Sequence, residues 1–272
     1  MPLLTDSEIL NLLSESANEA AELYYDNPVD YKGRPVTVQT VRDMGRNQHF
    51  VDIVNIVLDN IAGGKILDVG IAFGLYDVAL NRIFHFDICG VDHPANLKCY
   101  CRYPVHKGIQ VASCDVHFQK LPFPDNHFDA VIASEILEHL LISPTVFFNK
   151  LHSVLKPGGK LIVTTPNFSS LVNIIQILRC INPASAFPEN ETQHGPHALD
   201  MRVHPREYTV KEIASSLENA GFQISSVRTV CKKDNGSSSW KMKMVNRAMR
   251  LAPRHRDKII AVAIKHGTRI SA

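Results

Sequence analysis

Residues 65–74 read KILDVGIAFG. Ile66, Leu67 and Val69 make an apolar, partly β-branched run, Asp68 interrupts it, and Gly70 and Gly74 bracket the turn behind it. This is the pattern of a buried strand that stops abruptly in a tight turn. Glycine in such a turn lets the backbone take strained dihedrals and approach a ligand closely. A carboxylate inside a buried strand is costly unless it meets a partner, so Asp68 implies a polar group nearby.

Outward from this strand the hydrophobic period alternates. Strand-like runs occupy 65–69, 86–92, 109–113, 128–134 and 160–166, with helical patterns at 74–84 and 144–155 between them. Such alternation requires crossover connections and a mostly parallel sheet covered on both faces. The KPGGK at 156–160 is expected to end one helix and turn into the next strand. Upstream, 5–60 has a helical pattern, with Ser7 as expected cap, Ile9, Leu12, Leu13, Ala17 and Ala20 on one face, and a second run at 47–61. After Pro166 the alternation breaks, then resumes with a helix at 209–220, a strand from Phe222 to Val230 and a last strand within 257–267.

The 272 residues have an ordinary globular composition, 45% hydrophobic and 21% charged, with a formal net charge of +2. No run approaches the ~20 apolar residues that span a bilayer. The start, MPLLTDSEIL, lacks a basic segment followed by an apolar one. The expected location is cytoplasmic, with Cys89, Cys99, Cys101, Cys114, Cys180 and Cys231 reduced, since they form neither CxxC pairs nor a regular framework.

Three carboxylates fall at strand ends: Asp68 in the first strand, Asp92 closing the second and Asp115 just after the third. In open α/β sheets ligands bind outside the carboxyl ends of the strands. A phosphate there would call for amide N–H groups and basic residues. Acceptors instead suit hydroxyls, an amino group and a cationic centre. Two local readings stand beside this one: Asp68 as a cap of the following turn and Asp92 as an Asx turn before Pro94. A nicotinamide-dinucleotide site would also place an acid after strand two, but it expects G-x-G-x-x-G where residues 70–75 read GIAFGL.

From about Lys65 to Phe222 the series resembles the class I S-adenosylmethionine-dependent methyltransferases. LDVGIAFG is similar to their first motif, with Ala72 where a middle glycine is usual; CGVD resembles the second, CDVHFQKLPFPDNHFDAVIASEILEHL the third and fourth, and VLKPGGKLIVTTPN the next. The resemblance implies an α/β, Rossmann-like, mostly parallel seven-stranded sheet whose last strand is antiparallel, with helices on both faces. It implies one methyltransferase domain over 1–272: a helical extension (1–60), a core binding S-adenosylmethionine (SAM; 61–166), a lid or acceptor insertion (167–208) and a C-terminal part (209–272) with a basic helix at 240–252. It also implies that Gly70 and Gly74 line the methionine moiety, that Asp92 accepts from both ribose hydroxyls, and that Asp115 with Val116 holds the adenine. Asp68 and Ser134 complete the expected cofactor site, Asp68 near the amino group.

A methyl on a sulfonium is already electrophilic, so the protein must align the acceptor and, for a hydroxyl, remove its proton. SEILEHL (134–140) starts where strand four ends, and a helical turn there would put Glu135, Glu138 and His139 on one face. His139, assisted by Glu135, is the expected general base. Alternatively Glu135, Glu138, His139 and the later His204 hold a divalent cation that acidifies the hydroxyl, which resembles the arrangement in terminal 2′-O-methyltransferases of small RNAs and in ubiquinone-pathway O-methyltransferases. The metal-free base is the reading adopted.

The insertion gathers His194, His197, His204, Arg206 and Tyr208, and its layout TPN…H…REYT…LxxAGF resembles methyltransferases of saccharide pathways. The expected acceptor is a small molecule, saccharide or lipid-linked compound, with an RNA ribose or a non-enzymatic SAM-binding partner role as alternatives. Nucleic acid fits less well with a near-neutral total charge. From Arg228 to Lys258 ten Lys/Arg stand against Asp234 and Asp257, a local charge of +8. The helical pattern within it suits either contact with an anionic membrane surface through 240–252 or an ordinary surface helix.

Overall fold

Thr5, not Ser7, opens the first helix. Its hydroxyl accepts from the Glu8 N–H while the Glu8 carboxylate accepts from the Thr5 N–H, so two otherwise unpaired helix-end donors are satisfied and Ser7 falls inside the first turn. The computed structural model describes residues 4–26, 28, 35–183, 204–231 and 240–266. His194, His197, Lys232, Lys233, Asp234 and residues 184–203 of the expected insertion lie outside them.

The described chain divides into two compact units, 1–132 and 133–272. The first holds α1 (Asp6–Ala21), α2 (Val38–Met44), α3 (Gln48–Asn60), β1 (Lys65–Val69), α4 (Leu75–Phe84), β2 (Asp87–Asp92), α5 (Pro94–Leu97), α6 (Arg102–His106), β3 (Gln110–Ser113) and most of β4 (Phe128–Ser134). β1 pairs in parallel with β2 on one side and β4 on the other, and β2 pairs in parallel with β3. Ile66, Leu67, Val69, Val91, Val131 and Ile132 are all buried, as strands covered on both faces require.

The second unit holds α7 (Pro144–Val154), β5 (Leu155–Pro166), α8 (Leu171–Leu178), α9 (Val210–Asn219), β6 (Phe222–Val230), α10 (Trp240–Leu251) and β7 (Lys258–Lys265). Strand order is β3-β2-β1-β4-β5-β7-β6, and β7 runs antiparallel to both its neighbours. The seven-stranded, mostly parallel sheet with a reversed last strand is therefore as expected. One boundary differs. β5 starts at Leu155, directly after α7, and runs through KPGGK, with Gly158 taking φ +78° inside it.

Candidate active site

In the first unit β1 delivers Asp68 to a fully buried position where Tyr76 donates its hydroxyl to Oδ2 at 2.6 Å. Tyr76 and the equally buried Asp77 come from the first turn of α4. Asp68 Oδ1 and both oxygens of Asp77 meet no donor while both acids are charged. Burial drives both upward, and the Asp68 charge raises Asp77 further, so Asp77 retains a proton and donates it to Asp68; that bond and the Tyr76 hydroxyl lower Asp68 against its burial, leaving it pushed up to about 7. Asp68 thus has a partner after all, within nine residues of itself, and is not free to reach a ligand with both oxygens.

The turn after β1 is held against β2. The amides of Gly70 and Ile71 donate to the Val91 carbonyl at 2.8 and 3.3 Å. Ala72 takes φ +45°, a left-handed conformation that explains why glycine is usual at this position. Gly74 caps α4 at φ +57°, and a Cβ there would come 2.7 Å from the Pro104 Cβ. Asp92, closing β2, is only 6% exposed. It accepts from the amides of Ala72 (2.8 Å) and His93 (2.7 Å) and from the Asn96 side chain (2.8 Å). Burial raises its pKa while those donors pull it back. The Cys101 thiol also faces Oδ2 as a weak donor at 3.9 Å; a carboxylate has about four acceptor positions, so a ligand hydroxyl would take the one this thiol holds.

Asp115 lies in the turn after β3 and is more open. It accepts from the His117 amide at 2.9 Å and faces His117 Nδ1 at 3.0 Å and His93 Nε2 at 3.6 Å. Burial opposes its ionisation, but His117 and His93 outweigh burial and hold its pKa below the usual carboxylate range. Val116 beside it is buried. The rim of β1, β2 and β3 therefore presents carboxylate acceptors at graded depths, an acceptor set that fits the hydroxyls and amino groups of an adenosine-type cofactor. Tyr76, Asp77, Asn96, His93 and His117 were not legible as site residues. The short spacings Asp92 to Asn96 and Asp115 to His117 are the signal that could have found two of them.

The second unit holds the other candidate residues, and here the expected helical face is absent. Glu135 takes φ +53° and its amide donates to the Thr164 carbonyl, so it continues the strand edge and does not begin a helix. Behind it comes a 3-10 turn over Leu137–His139. Glu135 accepts from the Thr164 hydroxyl at 3.1 Å and pairs with Lys258 at 3.0 Å. The Ser134 hydroxyl also meets Thr164, at 3.0 Å.

Glu138 turns the other way and is 1% exposed, with its carboxylate accepting from the Thr165 hydroxyl at 3.0 Å. Burial, reinforced by the Glu135 charge, pushes it up to about 8. The His139 and His204 rings meet edge to face with centroids 4.9 Å apart. Ligand atoms of Glu138, His139 and His204 all lie within 4.8 Å of one another. Glu135 is the fourth expected member, and it is not in this group. His204 is oriented by Glu207, which lies 3.0 Å from its Nδ1 and also accepts from Asn173 of α8 at 3.0 Å. Tyr208 is buried, with Arg206 stacked 5.4 Å over its ring. Three donors of which one is a buried carboxyl, with a second carboxylate fixing one imidazole, are an arrangement that fits a divalent cation.

Residues 45–227 match a family described as a methyltransferase domain. The chain is 32% identical over 173 residues to the Rattus norvegicus mitochondrial ubiquinone biosynthesis O-methyltransferase, across 61% of this chain and 46% of that protein. It is 31% identical over 128 residues to phosphoethanolamine N-methyltransferase 3 of Arabidopsis thaliana, across 43% of this chain and 23% of that one. The chain thus spans less than half the length of these curated relatives. Its fold matches a chain from the solved complex of the Haloferax volcanii Trm112 methyltransferase activator at a TM-score of 0.58 and 14% identity, covering 94% of this chain and 98% of that one.

Proposed function

The chain belongs to the class I, SAM-dependent methyltransferase-domain family, and on that premise we propose that it methylates a hydroxyl oxygen of a small-molecule, saccharide or lipid-linked acceptor. SAM supplies the electrophilic methyl. Asp92 and Asp115 would offer acceptors to its hydroxyls and amino group, Gly70 and Gly74 would leave room for its methionine tail, and Val116 would border it. His139 would take the proton from the acceptor oxygen as that oxygen bonds to the methyl and the methyl–sulfur bond breaks, its electron pair staying on sulfur as a neutral thioether; Glu138, Glu207 and His204 set the ring's surroundings.

The observation that carries this reading is the convergence of Glu138, His139 and His204 within 4.8 Å. A pre-formed amine nucleophile would need alignment but no such base. A second reading rests on the same convergence: the three side chains hold a divalent cation that lowers the hydroxyl's pKa. Glu135 weighs against it, being engaged by Lys258, whose positive charge lies beside the group. The test is a panel assay with methyl-labelled SAM, a catechol, a saccharide and phosphoethanolamine. Labelled methyl ether from the catechol or saccharide is expected. Label appearing only on the phosphoethanolamine nitrogen would reject the hydroxyl reading.

A further inference from the structure

Amphipathic helices at a protein surface turn their apolar stripe inward. α8, LVNIIQIL, departs from this: it is nearly all apolar, yet none of its residues is buried. At its far end Ile177 and Leu178 are 47% and 78% exposed, and Ile181 just beyond is 44% exposed. α10 packs beside α8. Met249 anchors α10 inward, while Met244, Ala248 and Leu251, spaced i, i+4, i+7, share an exposed face, Met244 at 61% and Leu251 at 86%. Basic residues border this apolar surface. Arg179 and Arg247 are exposed, and α10 carries Lys241, Lys243, Arg247 and Arg250 in its sequence without one acid.

We propose that α8 and α10 form a docking surface for an anionic lipid bilayer. The charge decides the occupant. Protein–protein interfaces exclude charged residues from their apolar core, whereas helices lying in the bilayer interface combine exposed large apolar side chains with a Lys/Arg-rich flank. Among the described residues no helix is long and apolar enough to cross a membrane, so the contact is peripheral. The surface also connects to the candidate site. Asn173 of α8 donates to Glu207, which orients His204, and the Asn167 side chain before α8 donates to the Arg254 and Arg256 carbonyls beyond α10. Docking would therefore bring that histidine's support to the lipid surface. The inference itself stands apart from the acceptor's chemistry, and its test needs no turnover.

The test is co-sedimentation of the full chain with phosphatidylcholine vesicles, with and without phosphatidylglycerol. Binding is expected only to the anionic vesicles, falling as salt rises. The Leu178→Glu/Leu251→Glu pair should weaken it tenfold or more, and Arg179→Glu/Arg247→Glu about fivefold per charge. All four positions are exposed, and unchanged SAM affinity by calorimetry verifies that each variant is folded; should a glutamate pair fail that check, Leu178→Ser/Leu251→Ser replaces it. Absence of binding to anionic vesicles, or equal binding by wild type and folded variants, would overturn the proposal. So would a dimer of the free protein that the leucine variants dissociate, since that makes the face a contact between copies.

Discussion

His139 and His204 meet edge to face at 4.9 Å, although one sits in the 3-10 turn after β4 and the other far along the chain beyond β5 and α8. That contact joins two segments that the sequence connects only through the alternative cation site. It also yields the first prediction. With His139 as a metal-free base, His139→Ala should lower turnover by ~10²–10⁴-fold and chelator should change nothing. If EDTA abolishes turnover until a divalent ion is returned, and His204→Ala is as damaging as His139→Ala, the cation reading replaces the base.

Asp92 should carry cofactor affinity. Its carboxylate orders Ala72, His93 and Asn96, and only the weak Cys101 thiol donor holds the position a hydroxyl would take. Charge-assisted hydrogen bonds are each worth ~1.5–3 kcal/mol, so Asp92→Ala should weaken SAM binding by at least ~10-fold. Calorimetry that finds wild-type affinity in this variant would remove Asp92 from the site.

The Asp68–Asp77 pair should make stability fall as pH rises. In the unfolded chain both acids titrate near ~3.9, while in the fold Asp68 is pushed up to about 7 and Asp77 is raised well above the carboxylate range, chiefly by burial. Above pH ~4 the native state holds more protons than the unfolded state, so unfolding free energy declines with pH through about 7. Asp77→Asn keeps an N–H donor toward Asp68 and removes the shared proton. Its stability relative to wild type should therefore grow between pH 5 and 8, by up to ~1.4 kcal/mol per pH unit for each proton. Parallel urea-midpoint profiles for the two proteins would show that the acids do not interact.

Gly74 should not tolerate a side chain. Its φ of +57° costs an alanine ~1–2 kcal/mol, and the added Cβ would press on Pro104 at 2.7 Å. Gly74→Ala is expected to lower the thermal midpoint by several degrees and to weaken SAM binding with it. An unchanged midpoint would mean that the turn relaxes without cost.

Much of the fold was legible because its strands are short, apolar and separated by helical periods, and β7, though reversed, still reads as an apolar strand. The candidate site was legible where acids sit at strand ends, as Asp92 and Asp115 do. It was not legible where backbone conformation overrides spacing. Glu135, Glu138 and His139 have helical spacing, but the left-handed Glu135 turns its carboxylate to Lys258 and leaves Glu138 and His139 to meet His204. Nor does spacing show that Asp68 would be answered by Tyr76 and Asp77, since both look like ordinary positions in the first turn of α4. Ser7 likewise has the composition of a cap, but Thr5 and Glu8 bond each other and take that place.

The central claim, that this group activates a hydroxyl for methyl transfer, is tested most directly by following the labelled methyl itself. Wild type and His139→Ala are incubated with methyl-labelled SAM and fractionated small molecules, the product is identified by NMR, and SAM affinity is measured alongside. The account predicts a labelled methyl ether from wild type, its loss by ~10²-fold or more in the variant, and equal SAM affinity in both. A labelled methyl on nitrogen or carbon, or a variant that makes the ether at the wild-type rate, would contradict it.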